Sequence, residues 1–411
     1  MGAPVAMPVS SFKSLAKKAE PLTLTNFLKD RDFLFAVILT VLCIALVFSP
    51  TGFEDRRTET TVRARARVIS IDDSQIERAM IIKTGMQTLT VDILSGDFKG
   101  QRISAVNLLS GKLELDEVYA PGETILVEFS AKDGKITWAQ ARGAYRIGLE
   151  VLLFALFGLL LALVAGWTGV KALLSFVLCA LMLWKVLVPL FLKGHDPILV
   201  ALGVVAVLTG AISFLIGGLG RKGLITFLGS CLGLVLTCVL AMLFTKVFRV
   251  HGAVRPFAET VLYSGFYFLD LNRIFIAGIF IASTGAVMDL AMDIAASMHE
   301  VHERHPQISV RDHIRSGMAV GRAVLGPMTT TLLLAYSGSY ITMFMLFMGQ
   351  GIPLANIFNL NLVAAEILNT CVGSFGLVTV APFTAVAGGL VYGWRGDVRL
   401  ATKDTKGEIM A

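Results

Sequence analysis

Charge is scarce in this 411-residue chain: Asp, Glu, Lys and Arg make up 16% of it, where soluble domains carry about 25%. Counting Gly with the apolar residues and leaving out Tyr gives about 63% apolar, against ~45–50% in soluble domains. Mean hydropathy is +0.73. A water-soluble monomer of this composition could not cover its own surface, and the same figures exclude disorder, collagen and coiled coil. Cysteine is sparse too: Cys43, Cys179, Cys231, Cys238 and Cys371 all fall in apolar runs, as buried small hydrophobes do, so no disulfide framework is implied. No basic stripe with interleaved aromatics is present, which argues against nucleic acid. Nothing in the charged stretch 51–146 resembles a nucleophile triad or a metal cluster, and neither an enzyme nor a cofactor is expected of the chain. What remains is a polytopic α-helical membrane protein.

The few charges are unevenly placed. Residues 51–146 hold 28 of the 66, with 14 basic and 14 acidic, whereas residues 147–298 hold 15. This predicts a neutral soluble domain inserted between one apolar segment and a long apolar bundle. The plan is a cytoplasmic segment (1–32), a signal-anchor span (33–50), an exported β-rich domain (51–146), a membrane bundle (147–395) and a cytoplasmic tail (396–411). Phe33–Ser49 is just long enough to span. It follows a basic stretch and no small-x-small cleavage site follows it, which reads as an uncleaved anchor.

Seven further runs are expected near 147–166, 169–191, 197–218, 223–247, 273–297, 325–348 and 372–394, making eight spans. Segments on the N-terminal side carry 16 Lys/Arg; the short loops opposite hold Lys193, Arg249, Arg255 and Arg273. The positive-inside rule therefore puts both termini in the cytoplasm and residues 51–146 outside. Pro256–Leu269 and Asn356–Asn369 are apolar but short, as re-entrant or interfacial segments are. Each carries an Ala-Glu pair, Ala258-Glu259 and Ala365-Glu366, a weak hint of an internal repeat.

Within 51–146, Val62, Ala64, Ala66 and Val68 alternate with Arg63, Arg65 and Arg67. Gln87–Leu94 repeats that period of two, and Lys132-Asp133-Gly134 marks a hairpin between two more strands. About five strands in 90 residues suggest a small OB-like barrel. The arginine row is either a solvated strand face or a contact for lipid phosphate.

Four polar side chains inside apolar runs are candidate ion or substrate contacts. Asp289 and Asp293 lie four apart, on one stripe with Gly285 and Ser297, and carboxylates within a span usually face a cavity, a partner or a conduction path. Glu366 and Asn369 precede Gly373-Ser374-Phe375-Gly376, where a helix is expected to loosen unless the small residues serve close packing. His299, His302 and Glu303 could share a helix face, yet the histidine spacing of three is not that of a zincin helix.

Residues Gly285–Asp289, Met292–Ser297, Gly321, Gly326, Met328, Thr331–Tyr336, Ala365–Ile367 and Gly373–Gly376 resemble the YibE/F-like family of bacterial multi-spanning membrane proteins. The resemblance runs from about 275 to 390, and the anchor followed by an exported β domain extends it to roughly 30–395. It departs at Ala323, where an acid is expected, at Pro327 (Thr expected) and at Thr330 (Asn expected). The family implies architecture and a place in the bacterial cytoplasmic (inner) membrane rather than a reaction.

Two functions stay open: a proton- or cation-coupled transporter or permease for an ion or small molecule, and a membrane scaffold or sensor whose exported domain binds a partner. The lipid bilayer is the one partner implied outright; a homo-oligomer is compatible with both. A reporter active only outside the cytoplasm should give signal when fused after Lys112 and none after Arg399; the reverse pattern would overturn the charge argument.

Overall fold

The computed structural model describes residues 31–54, 61–132 and 135–407 and divides into two compact units, Pro50–Gly166 and the remainder. Residues 1–30, 55–60, 133–134, where the hairpin signal falls, and 408–411 lie outside the described residues.

In the first unit five strands close into a barrel in the order β1-β2-β3-β5-β4: β1 Thr61–Ala79, β2 Ile82–Ile93, β3 Arg102–Ser110, β4 Thr124–Lys132 and β5 Lys135–Ala144. The expected alternation holds. Ala64, Ala66 and Val68 are 0–3% exposed, packing with Leu89, Val91, Ile125, Val127 and Phe129, while Arg63, Arg65 and Arg67 face outward. The arginine row is an ordinary strand face in part: Arg63 pairs with Glu128 on β4 at 3.0 Å, and Arg142 binds the same carboxylate.

One polar knot closes an end of the barrel. Gln87, fully buried, donates to Asp73 Oδ1 (2.8 Å) and the Tyr119 carbonyl (3.0 Å), and accepts from Asn107 Nδ2 and the Tyr119 N–H, both 3.1 Å. All its polar capacity is met, as a buried amide requires. Asn107 also donates to the Glu117 carbonyl (2.7 Å), and Glu117 Oε2 accepts the Ala144 N–H (2.8 Å). The chain thus leaves β5 beside Glu117, and a long apolar helix begins shortly after, at Ile147.

The long apolar helices carry the rest. In chain order the helices are α1 Arg31–Phe48, α2 Ile147–Met182, α3 Val188–Leu192, α4 Pro197–Gly217, α5 Arg221–Phe248, α6 Ala258–Tyr263, α7 Leu271–Arg304, α8 Val310–Ser337, α9 Ile341–Gly349, α10 Leu354–Asn359 and α11 Asn361–Gly407. Among the described residues, seven helical stretches are long and apolar enough to cross a membrane. One of these, Ile147–Leu192, has 46 residues and is interrupted at Gly166 (φ 56°, ψ −133°), a conformation open to glycine. That interruption falls at the expected boundary between two runs. A π-helical turn at Leu183–Leu187 joins α2 to α3, and its Lys185 donates to the Ser49 carbonyl (2.8 Å) just past α1.

Helix α7 lies at the centre of its unit. Phe275, Ile279, Phe280, Val287, Leu290, Ile294 and Met298 are 0–2% exposed, enclosed by α4, α5, α8 and α11. Glycines set the spacing: a Cβ on Gly229 would lie 2.1 Å from Thr384 Oγ1, and one on Gly376 would lie 2.0 Å from Thr237 Oγ1.

Three expectations are corrected. The run placed at 325–348 is not one helix: its first part belongs to a helix that starts at Val310, capped by Ser309 (whose Oγ accepts the Asp312 N–H, 3.1 Å), and ends at Ser337, and its last part forms α9 after the 3₁₀ turn Gly338–Tyr340. Nothing polar enough to stop a helix intervenes, so the expected amphipathic segment simply continues into it. Asn356–Asn369 is not one segment: Leu360, extended at ψ 130°, separates α10 from α11. Glu366 and Asn369 then sit in a regular helix that does not loosen at Gly373–Gly376, because those small residues serve packing against α5 and α7. Glu259 lies exposed in the six-residue α6, whereas Glu366 lies in the second turn of the long α11.

Residues 55–142 expressed alone should give a β-type circular dichroism spectrum indifferent to reductant and chelator. Arg146 and the Ala144 amide hold the Glu117 carboxyl below its ordinary value. A depressed folded-state pKa stabilises above the unfolded value and is lost as pH falls. In a fragment extended through Arg146, the urea midpoint should therefore drop from about pH 5 downward, and Glu117→Gln should flatten part of that slope.

Candidate functional site

The strongest polar constellation in the helical unit is built by two loops and a helix start. Arg255 follows a short 3₁₀ turn (Gly252–Val254) tied down where the Gly252 N–H donates to Asn272 Oδ1 at 2.7 Å. From there its guanidinium lies 5.2 Å over the Phe275 ring and donates to Glu366 Oε1 at 2.7 Å. The Tyr340 hydroxyl stands 3.5 Å from the same Arg255 nitrogen. Glu366 is only 13% exposed and Arg255 33%.

Glu366 also lines a cavity of about 670 Å³ between α8, α9, α10 and the start of α11, whose walls include Tyr336, Phe344, Phe347, Met348 and Phe358. Its size suits a small organic molecule, and a mostly apolar wall with a few polar groups is the usual composition of such sites. The Tyr336 hydroxyl is buried with no hydrogen-bond partner among the described residues, as is Asn369 Oδ1. Both lie within two turns of Glu366: Asn369 is three residues on, and Tyr336 Oη approaches Gly373.

The four expected site residues are not brought together. Gly373 packs on Ser283 and Gly388 on Met298, a constant offset of 90 residues (373 − 283 = 388 − 298), so α7 and α11 run parallel. Glu366 is therefore level with Ile276, and Asp289 lies 13 residues (289 − 276) further along, ~20 Å at 1.5 Å per residue. Asp289 and Asp293 do share a stripe with Gly285, as the spacing requires. That stripe, however, is the exposed face of α7, where neither carboxylate has an ion-pair or hydrogen-bond partner among the described residues. Arg255, Tyr336 and Tyr340 are not legible in the sequence as site residues. The available signal is Arg255 itself, a lone cation at the edge of an apolar segment.

At the other end of α7 the histidines stack around an aromatic ring. His299 Nδ1 is 2.9 Å from Tyr392 Oη, the His302 ring is 4.5 Å from Tyr392, and His313 Nε2 is 2.8 Å from the Met298 carbonyl. Among the described residues no three His, Cys, Asp or Glu are grouped as metal ligands.

Removing one member of a part-buried ion pair leaves the other desolvated and uncompensated. Arg255→Gln and Glu366→Gln should each lower the thermal midpoint of the purified chain. The double variant should lose clearly less than the sum, by a coupling of about 1–3 kcal/mol.

The profile of the YibE/F-like protein family matches residues 153–394, and that of the YibE/F family N-terminal domain matches residues 61–142. No curated protein and no solved structure matches the chain. The first profile spans the helices that build the cavity and more than half of the sequence, and the second coincides with the barrel: the chain belongs to the YibE/F-like protein family.

Proposed function

We propose that this protein is a permease of the bacterial cytoplasmic membrane, coupled to protons or another cation, with eight spans, cytoplasmic termini and an exported barrel. The observation that carries the reading is the cavity beside the Arg255–Glu366 pair, bordered by two interruptions of helix, at Ser337–Tyr340 and at Leu360. Interrupted helices beside polar side chains are where transporters hold their ligands. A charge pair is costly in apolar surroundings and is kept where it acts.

The chemistry follows from the pair. A proton on Glu366 removes its negative charge and releases Arg255, which is then free to meet an anionic or polar group entering the cavity. Tyr336 and Asn369, with unmet hydrogen-bonding capacity, supply further contacts. Deeper in the bundle, Thr209, Ser213, Ser230 and Thr384 also bury hydroxyl oxygens without a partner among the described residues, and such groups in an apolar interior favour hydration or a passing polar solute. Asp289 and Asp293, ~20 Å and ~26 Å from Glu366 along the helix axis, take no part in this step.

The test is charge movement. Proteoliposomes on a solid-supported membrane, stepped in pH, should give a transient current with wild type that Glu366→Gln abolishes and Glu366→Asp retains in reduced form. A wild-type current no larger than that of protein-free liposomes would sink the transport reading and leave the scaffold.

A further inference from the structure

We propose that the β1–β2 arm of the barrel is a membrane-insertion tip that recognises anionic phospholipid. Beyond Val68, β1 pairs with β2 alone, and β3 accompanies β2 only as far as the Thr84–Ser110 pair. The last rungs, Arg78–Lys83 and Ala79–Ile82, therefore stand clear of the barrel, joined by the two-residue turn Met80-Ile81.

Three features of this tip are unfavourable in water. Met80 is 99% exposed and Ile81 74%. Met80 has φ 57°, in a turn whose usual occupants are Asn, Asp and Gly. Arg78 and Lys83 are directly opposite one another, so two like charges share one face, and neither has an acidic partner among the described residues. Glu77, the neighbour of Arg78, points to the other face.

The surroundings extend the patch. A Cβ on Gly111 would lie 3.3 Å from Ile82 Cγ2, so the turn after β3 adjoins the tip. That turn presents Leu113 (64% exposed) and Leu115 (55%), with Lys112 between Gly111 and Leu113. Asp116 is occupied by the Gly111 and Lys112 amides, leaving Glu114 as the exposed acid of the turn.

The occupant follows from where this end of the barrel lies in the chain. The Gln87–Asn107–Glu117 knot at the base of the arm is also where β5 ends, at Ala144, and the apolar stretch beginning at Ile147 follows immediately. The arm thus projects from the end of the barrel at which the chain turns into its next apolar helix. A leaflet on that side offers hydrocarbon to Met80 and Ile81, and phosphate to Arg78 and Lys83. Burial of the two side chains, ordering of the strained turn and neutralisation of the paired cations then come from one surface.

The experiment uses the full chain in lipid nanodiscs. Ile81→Trp adds an emission to that of the four native tryptophans. The added signal should be largely quenched by brominated phosphatidylglycerol, and combining it with Arg78→Gln and Lys83→Gln should remove most of the quenching. In the unmodified chain, amide exchange over residues 78–84 should be slower in phosphatidylglycerol than in phosphatidylcholine. An unquenched signal with exchange equal in both lipids overturns the insertion. Quenching that is equal in both lipids and survives the charge substitutions overturns anionic recognition, and exchange just as slow in detergent overturns the lipid as occupant in favour of docking on protein.

Discussion

The close approach of helices around Leu271–Arg304 governs what the rest of the helical unit can do. In a bilayer, lipid tails are as apolar as Leu, so burying one more Leu between helices gains little; contact area and short backbone distances hold the helices together. Gly229 and Gly376 let α5 and α11 meet at Thr384 and Thr237 with no room for a single added carbon. Gly317 and Gly388 do the same on either side of Met298, where a Cβ on either would lie 2.6 Å from the sulfur. Such a locked centre does not readily flex. The short helices α9 and α10, which border the cavity, lie outside these glycine contacts.

That division explains the placing of the polar chemistry. Arg255 comes from an irregular loop and Glu366 from the second turn of α11, so the ion pair joins a loop to the rigid core rather than two rigid helices. The glycine contacts lie further along α11 than Glu366, at Gly373, Gly376 and Gly388. The barrel uses the opposite arrangement: Gln87 satisfies four hydrogen bonds at once and fixes the loop over it, and the arm beyond is flanked by the turn after β3 alone.

Much of the architecture is legible in the residues alone. Strict alternation from Val62 to Val68 places the first strand's inner face, and Asp196-Pro197 marks a helix start that the structure caps through Asp196 Oδ1. The arm is not legible, because Ile71-Asp72-Asp73-Ser74-Gln75 has the composition of a turn. The structure absorbs it as an irregularity between Asp72 and Gln75, after which pairing resumes. Helix ends are misjudged for a related reason. Gly373–Gly376 carry local breaking propensity, but the packing of Gly373 on Ser283 and of Gly376 on Thr237 overrides propensity of that size.

The candidate site is half legible, and the missing half has a geometric cause. Periodicity of 3.6 tells which residues share a stripe, so Asp289, Asp293 and Gly285 group together in sequence as they do in space. It does not tell which stripe faces inward when a helix is apolar nearly all round, as α7 is. The glycines of α5, α8 and α11 decide that, by drawing Val287, Ile294 and Met298 into the centre, and the opposite face then necessarily turns outward with both aspartates on it. Glu366 escapes the same ambiguity because its partner, Arg255, is fixed by a charge contact rather than by packing, and a buried carboxylate must find such a contact or lose its charge. The partner itself stands 111 residues away in sequence, beyond the reach of any local pattern.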